Sequence, residues 1–116
     1  MKKQKGIFAL IVALFIGCGV FQYQGQSEEA HFRNSQLLEE HYEKHGRAMG
    51  YESAQAYQKG AQAVLSNVDA LKKREAEDQD LVYYLEATNE IVFVSQDGII
   101  RTYFNPEDGI DYYNRQ

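Results

Sequence analysis

Hydrophobic positions recur along this chain with two different periods. In the first half they return every three or four residues, which is the stripe of an amphipathic helix: Leu38, Tyr42, His45 and Met49. Asn34 or Ser35 caps this helix and Gly50 ends it. A second helix is predicted after the cap residue Ser53, with four positions on its buried face: Tyr57, Ala61, Val64 and Leu65.

After residue 67 the pattern becomes that of short strands. Three β-branched or aromatic runs have strand length, and residues 70–75 make a fourth, exposed strand: Leu81–Leu85, Ile91–Ser95 and Ile99–Phe104. Asn105 followed by Pro106 and two acids is typical of a helix start, so a short C-terminal helix is expected. The order predicts an α+β fold, with two N-terminal helices followed by a three- to four-stranded antiparallel sheet and a short C-terminal helix.

Asp97-Gly98 predicts a two-residue hairpin turn between the last two strands. Such a turn makes these pairs share one face: Ile91 with Phe104, Phe93 with Thr102, and Ser95 with Ile100. Because this set is the more apolar, we expect it to lie under the helices. Arg101 and Tyr103 would then stand on the open face of the sheet with Val92 and Val94.

The N-terminal segment has the layout of a secretory signal. Three lysines precede an apolar run over residues 6–17, and the only cysteine, Cys18, follows it. Phe15-Ile16-Gly17-Cys18 resembles the lipobox of bacterial lipoproteins, in which the cysteine is lipidated. We therefore expect a signal peptide (1–17), a lipidated Cys18 carrying palmitate with a flexible tether (18–33), and one domain (34–116).

The alternative interpretation of this segment is an uncleaved membrane anchor. The apolar run is shorter than the roughly 17–25 residues of a spanning helix, which favours the signal peptide. Both interpretations place the domain on the extracytoplasmic face of the cell membrane.

The charge of the mature chain limits its partners. Residues 1–17 hold three of the 12 Lys and Arg residues and none of the 17 acids, which leaves nine cations and a net charge of −8. This balance disfavours non-specific attraction to RNA or to anionic lipid. A single cysteine excludes an intramolecular disulfide.

His41 and His45 lie one helical turn apart, a spacing that suits two zinc ligands. The metalloprotease motif needs a glutamate directly after the first histidine, but Tyr42 holds that position. Nothing else in the sequence completes a site, so we expect no metal and no other cofactor. The plainer interpretation is a partly buried His45 and a solvent-facing His41.

Arg101 is the other candidate for chemistry. A strand arginine usually pairs with a carboxylate or stacks on an aromatic ring, and it can also hold a phosphate with its planar donors. RNA transesterification needs a base, an acid and a cation. On the faces predicted above, His45 and Arg101 meet only if the helix edge reaches round the sheet.

Several segments together resemble a family of toxin domains, over roughly residues 31–116: His41–Tyr51, Ser53–Tyr57, Val82–Tyr84, Thr88–Gly98 and Ile100–Phe104. The resemblance is to C-terminal toxin domains of bacteria in the barnase–EndoU–colicin–RelE group of ribonucleases. It implies N-terminal helices, an antiparallel sheet and metal-independent action on RNA. The site residues that it implies are His41 or His45 with Arg101 and Thr102, and Tyr103 as a further candidate.

Two functions therefore follow from the sequence. The favoured one is a membrane-anchored surface module that binds a protein or cell-wall partner through the open sheet face, because acidity and anchoring both suit it. The alternative is a metal-independent endoribonuclease that cleaves RNA by transesterification.

Overall fold

A computed structural model of the chain describes residues 29–116, which form an α+β domain around one five-stranded sheet. A π-helical turn (Tyr42–Gly46) follows the first helix directly. The elements are β1 (His31–Phe32), α1 (Ser35–His41), α2 (Ala54–Leu65), β2 (Leu71–Arg74), β3 (Leu81–Leu85), β4 (Glu90–Val94), β5 (Ile99–Phe104) and α3 (Ile110–Asn114). The predicted fold class is confirmed, but the sheet is larger than expected and mixed, in the order β1-β5-β4-β3-β2 with β1 parallel to β5.

The expected signal peptide, Cys18 and most of the tether lie outside the described residues. None of the helices in residues 29–116 has the length and hydropathy of a membrane-spanning segment.

The strand β1 was not predicted, because residues 31–33 were assigned to the tether. His31 pairs with Ile99 and Phe32 with Ile100, and the Phe32 side chain is buried. The Gln58 side chain of α2 accepts a hydrogen bond from the Phe32 amide at 2.8 Å. Two residues are too few to show a strand period, so only these tertiary contacts reveal the element.

Both predicted helix caps are confirmed. The Asn34 side chain accepts a hydrogen bond from the Leu37 amide, and Ser53 accepts one from Ala56. The first helix does not run to Met49 as a regular α-helix, since it passes into the π-helical turn after His41. Gly46 permits this turn, because a Cβ there would lie 2.4 Å from the Tyr42 ring and 2.8 Å from the Tyr57 ring.

The hairpin between β4 and β5 is one residue longer than predicted. The Ser95 amide donates to the Ile99 carbonyl at 2.8 Å, and Gly98 takes a φ of +89°, so Gln96-Asp97-Gly98 form a three-residue loop. A register shift between Phe93 and Val94 then restores the predicted Ile91–Phe104 and Phe93–Thr102 pairs. Arg101 is the extra residue of this β-bulge, which replaces the predicted Ser95–Ile100 pair with Val94–Ile100.

The prediction of which face lies under the helices was wrong. Four residues of β4 and β5 pack in one cluster with α1 and α2, and of these only Ile100 was expected on that face: Val92, Val94, Ile100 and Tyr103. Ile91, Phe93 and Phe104 lie on the opposite face, where Tyr112 and Tyr113 of α3 cover them. Both faces of β4 are apolar, so alternation alone could not decide between them.

The C-terminal helix begins later than the sequence predicted. Gly109, with a φ of +59°, is the residue before α3, and Asn105 instead donates its side-chain amide to the Asn89 carbonyl at 2.6 Å. Tyr113 stacks on Tyr84 with ring centroids 5.8 Å apart, which fixes α3 on the sheet.

Candidate active site

The bulge gives Arg101 a position that a regular strand would not. Its Nε lies 3.2 Å from Oδ2 of Asp80, and a terminal nitrogen lies 3.4 Å from Oδ1, so the carboxylate is held by two donors. The Asp80 side chain is 10% exposed, whereas that of Arg101 is 46% exposed. One edge of the guanidinium is therefore fixed by a buried carboxylate while the rest remains accessible.

This ion pair lies in an open trough of about 500 Å³ on the α3 side of the sheet. Arg101 and Thr102 line it together with side chains from β4, α3, the C-terminal residue and the turn between β2 and β3: Glu75, Asp78, Asp80, Phe93, Tyr112 and Gln116. Three of these side chains are carboxylates and one is a cation. The trough thus offers a fixed cation and a hydroxyl in an acidic setting.

Tyr103 does not reach this trough. It is fully buried on the face under the helices, and its hydroxyl lies 2.6 Å from that of Tyr51 and also contacts Glu90. The Tyr57 hydroxyl donates to the Tyr103 carbonyl at 2.5 Å. The structure therefore places Tyr103 in the packing that holds the helices on β5, and not on the open face where the sequence predicted it.

The two histidines lie in a stack of four rings that links β1 to β5. Ring centroids are 5.1 Å apart for Phe32 and His41, 6.0 Å for His41 and His45, and 5.2 Å for His45 and Phe104. Burial, and then the nearby Lys44 charge, lower the pKa of His41 below its usual value. Burial lowers the pKa of His45 as well, with His41 as the next cause.

His41 is not the solvent-facing residue that the plainer interpretation expected. Its Nδ1 is buried and has no hydrogen-bond partner among residues 29–116. A proton on that nitrogen would have no acceptor, so burial favours the neutral ring.

The π-helical turn carries His45 to the edge of β5. His45 lines a cleft of about 270 Å³ with Lys44, Met49, Phe104, Asn105 and Glu107. Its ring stacks on Phe104, whose other ring contact is with Tyr112 of the trough, at 5.6 Å between centroids. The π-helical turn thus brings His45 to Phe104 at the edge of β5.

A row of side chains follows β5 from His45, which stacks on Phe104, to Arg101 in the trough, and we call it the β5 strip: His45, Phe104, Thr102 and Arg101. Thr102 and Phe104 are two residues apart on one strand face, a separation of roughly 6.6 Å. The cleft of His45 and the trough of Arg101 and Thr102 share no lining residue, and the Phe104 ring lies between them.

Sequence reasoning missed Asp80, the carboxylate that holds Arg101. It lies at the end of a run of acids in which nothing distinguishes it from Glu77 or Asp78. Asp80 lies opposite Ser95 because of the register of β3 against β4, and this position brings it within reach of Arg101 in the bulge. Tyr112 was expected on the C-terminal helix, but its place in the trough depends on how α3 packs.

Residues 29–116 hold no group of three or more His, Cys, Asp or Glu side chains that could bind a metal ion. The two histidines face aromatic rings and each other rather than a third ligand.

Comparison with known proteins identifies the fold. No protein-family model matches this chain, and no curated protein matches it significantly. Among solved structures, the chain is similar to one described as a ribonuclease from Escherichia coli complexed with its inhibitor protein. The two share 18% identity with a TM-score of 0.53, over 66% of this chain and 95% of the other. The domain therefore has a ribonuclease-like fold.

Proposed function

We propose that the domain is a metal-independent endoribonuclease. The observation that carries this proposal is Arg101, which a β-bulge turns into an open trough beside Thr102 while the buried Asp80 fixes its orientation. A bulge is costly in the middle of a sheet and recurs next to active sites, where it re-aims a side chain. The ribonuclease-like fold supports the same proposal.

The residues of the β5 strip divide the chemistry between them. Neutral His45 accepts the proton of the RNA 2′-hydroxyl, whose oxygen attacks phosphorus. Arg101 stabilises the charge that develops on the phosphoryl oxygens, and the Thr102 hydroxyl donates a hydrogen bond to them. The bond from phosphorus to the 5′ oxygen then breaks, and water in the open trough protonates that oxygen. The products are a 2′,3′-cyclic phosphate and a 5′-hydroxyl.

A cleavage assay with matched variants tests these roles. The full-length protein, purified in detergent, is incubated with a fluorescent RNA oligonucleotide in the presence of a chelator. Arg101→Ala should lower the rate by about 10²–10³-fold, the usual loss for a preorganised charge contact. Arg47→Ala is the control, because Arg47 is also exposed and paired, with Glu43 at 2.7 Å, but lies outside the trough.

The histidine needs its own control. His45→Ala should lower the rate by roughly 10²–10⁴-fold, as expected for a general base. His31→Gln, in β1 and away from both cavities, should leave the rate within about twofold of the original protein. Cleavage that survives Arg101→Ala and His45→Ala together would refute this site.

We also propose that Cys18 anchors the protein to the extracytoplasmic face of the cell membrane. The apolar run that ends at Gly17-Cys18 supports this. Mass spectrometry of the native membrane protein should show a lipid-modified cysteine at the mature N-terminus. An intact Met1 on that protein would contradict the proposal.

A surface-binding role remains the second candidate, and the charge of the trough favours it. Three carboxylates surround Arg101, and Asp80 already pairs with it, which weakens attraction for a phosphate. In this role Arg101→Ala alters the affinity for a protein or cell-wall partner, and no RNA is cleaved at any concentration of the protein.

A further inference from the structure

The outer edge of β2 is a surface that the proposed activity does not use. β2 is the last strand of the sheet, and within residues 29–116 only β3 pairs with it. The Glu75 amide donates to the Asp80 carbonyl at 2.8 Å, so the main chain of Glu75 faces inward, toward the β3 side of the sheet. In an antiparallel pair every second residue turns its main chain outward, and here these are Lys72 and Arg74. Their N–H and C=O groups therefore point to the free edge.

This edge is also the most basic stretch of an acidic domain. Residues 29–116 contain nine Lys and Arg residues and 16 acids, and three of the nine cations are consecutive: Lys72, Lys73 and Arg74. Leu71 and the neighbouring Val68 add exposed apolar surface, at 41% and 95% exposure.

Lysines on an edge strand usually block pairing with another chain. Here the long side chains are held on the two faces of the sheet instead. Lys72 Nζ lies 5.5 Å from the Tyr83 ring centroid, and Lys73 Nζ lies 4.5 Å from that of Tyr113 on the other face. Arg74 donates to the Gln79 carbonyl at 3.1 Å. Among the residues that the structure describes, none covers the outward main chain of β2, and a cation lies beside it on each face.

We propose that the β2 edge binds an extended acidic segment of a partner protein by strand addition. The segment adds an antiparallel strand whose main chain bonds to Lys72 and Arg74, as in other peptide-binding sheet edges. Its carboxylates face the three cations, and an apolar side chain meets Leu71. A second copy of β2 does not fit, because like charges would oppose each other. RNA and anionic lipid fit less well, since their phosphates accept hydrogen bonds but donate none to the outward carbonyls.

A synthetic peptide tests the proposal on the full-length protein in detergent. The probe is acetyl-Thr-Glu-Glu-Glu-Val-Thr-amide, labelled for fluorescence anisotropy, with acids opposite the cations and valine opposite Leu71. Its matched control is the same peptide N-methylated at alternate residues. N-methylation keeps the charge of the peptide but removes the main-chain N–H groups that would donate to β2. We expect the probe to bind and N-methylation on the strand-facing side to weaken binding by about tenfold or more.

Variants of Lys72 separate the main chain from the charge. Proline and alanine at this position both remove the lysine charge, but only proline also removes the outward N–H, which an edge strand tolerates. Lys72→Pro should therefore weaken binding more than Lys72→Ala, which keeps the N–H. Equal binding of the N-methylated peptide, stronger binding of oligouridine or of anionic vesicles, or no binding at millimolar peptide would each overturn the proposal.

Discussion

Replacing Tyr57 with phenylalanine should destabilise the domain far more than the loss of one oxygen atom suggests. β1 pairs with β5 at Ile99 and Ile100, so within residues 29–116 no strand lies beside Tyr103 on that edge. The Tyr57 hydroxyl donates to the Tyr103 carbonyl at 2.5 Å and takes the place of a neighbouring strand there. Tyr57 is fully buried, so water cannot replace the hydroxyl.

The magnitude follows from that burial. A buried carbonyl without a donor costs about 1–3 kcal/mol, and we take about 2 kcal/mol for Tyr57→Phe. For a domain of this size, that change lowers Tm by about 8–16 °C. It is also a large share of a free energy of unfolding of about 5–15 kcal/mol.

The assay is urea unfolding of the purified protein, followed by circular dichroism. Tyr83→Phe is the matched control, because Tyr83 is half-buried and its hydroxyl has no hydrogen-bond partner among the described residues. The control should change the free energy of unfolding by less than about 0.5 kcal/mol. An equally small change for Tyr57→Phe would refute the idea that its hydroxyl completes the β5 edge.

Three further predictions concern stability. The pKa values of His41 and His45 are lowered in the folded protein, so the unfolded chain binds more protons, and the free energy of unfolding falls as pH drops below about 6.5. In urea unfolding, a His41→Gln, His45→Gln double variant should show a smaller fall between pH 7 and pH 5. Gly60→Ala should destabilise despite the better helix propensity of alanine, because a Cβ there lies 2.1 Å from the Tyr51 hydroxyl; an unchanged or higher Tm would contradict this contact. A chelator should leave Tm unchanged. A fall in Tm would indicate that the two histidines bind a metal ion.

Local signals predicted much of the fold. Asn34 and Ser53 cap their helices as expected, and β3 and β5 have the bounds that the sequence indicated. These features depend on near neighbours in the chain, such as a cap side chain and the amide three residues on. Glycine at position 98 likewise marked the turn, although not its length.

The parts that sequence reasoning missed depend on distant contacts. The parallel strand β1 exists because Gln58 and Gln62 of α2 bond to residues 32 and 30. The π-helical turn depends on Gly46 fitting against the ring of Tyr57, eleven residues later. The bulge at Arg101 compensates for a longer hairpin loop, and together they put Ile100 on the face of Val92 and Val94 instead of the face of Phe93 and Thr102.

The candidate site shows the same division. His45, Arg101 and Thr102 were identified from the sequence, and the structure places them on the β5 strip. Asp80 was not identified from the sequence, because its partner Arg101 lies two strands away in the sheet.

Cleavage of an oligonucleotide that contains one ribose in an otherwise deoxyribose strand tests the central claim most directly. The proposed chemistry needs a 2′-hydroxyl, an open trough and no metal. With chelator present, the account predicts a single cut after the ribose that leaves a 2′,3′-cyclic phosphate, and a rate that Arg101→Ala lowers by about 10²-fold or more. No cut at any concentration of the protein, or an equal cut in the all-deoxyribose strand, would contradict it.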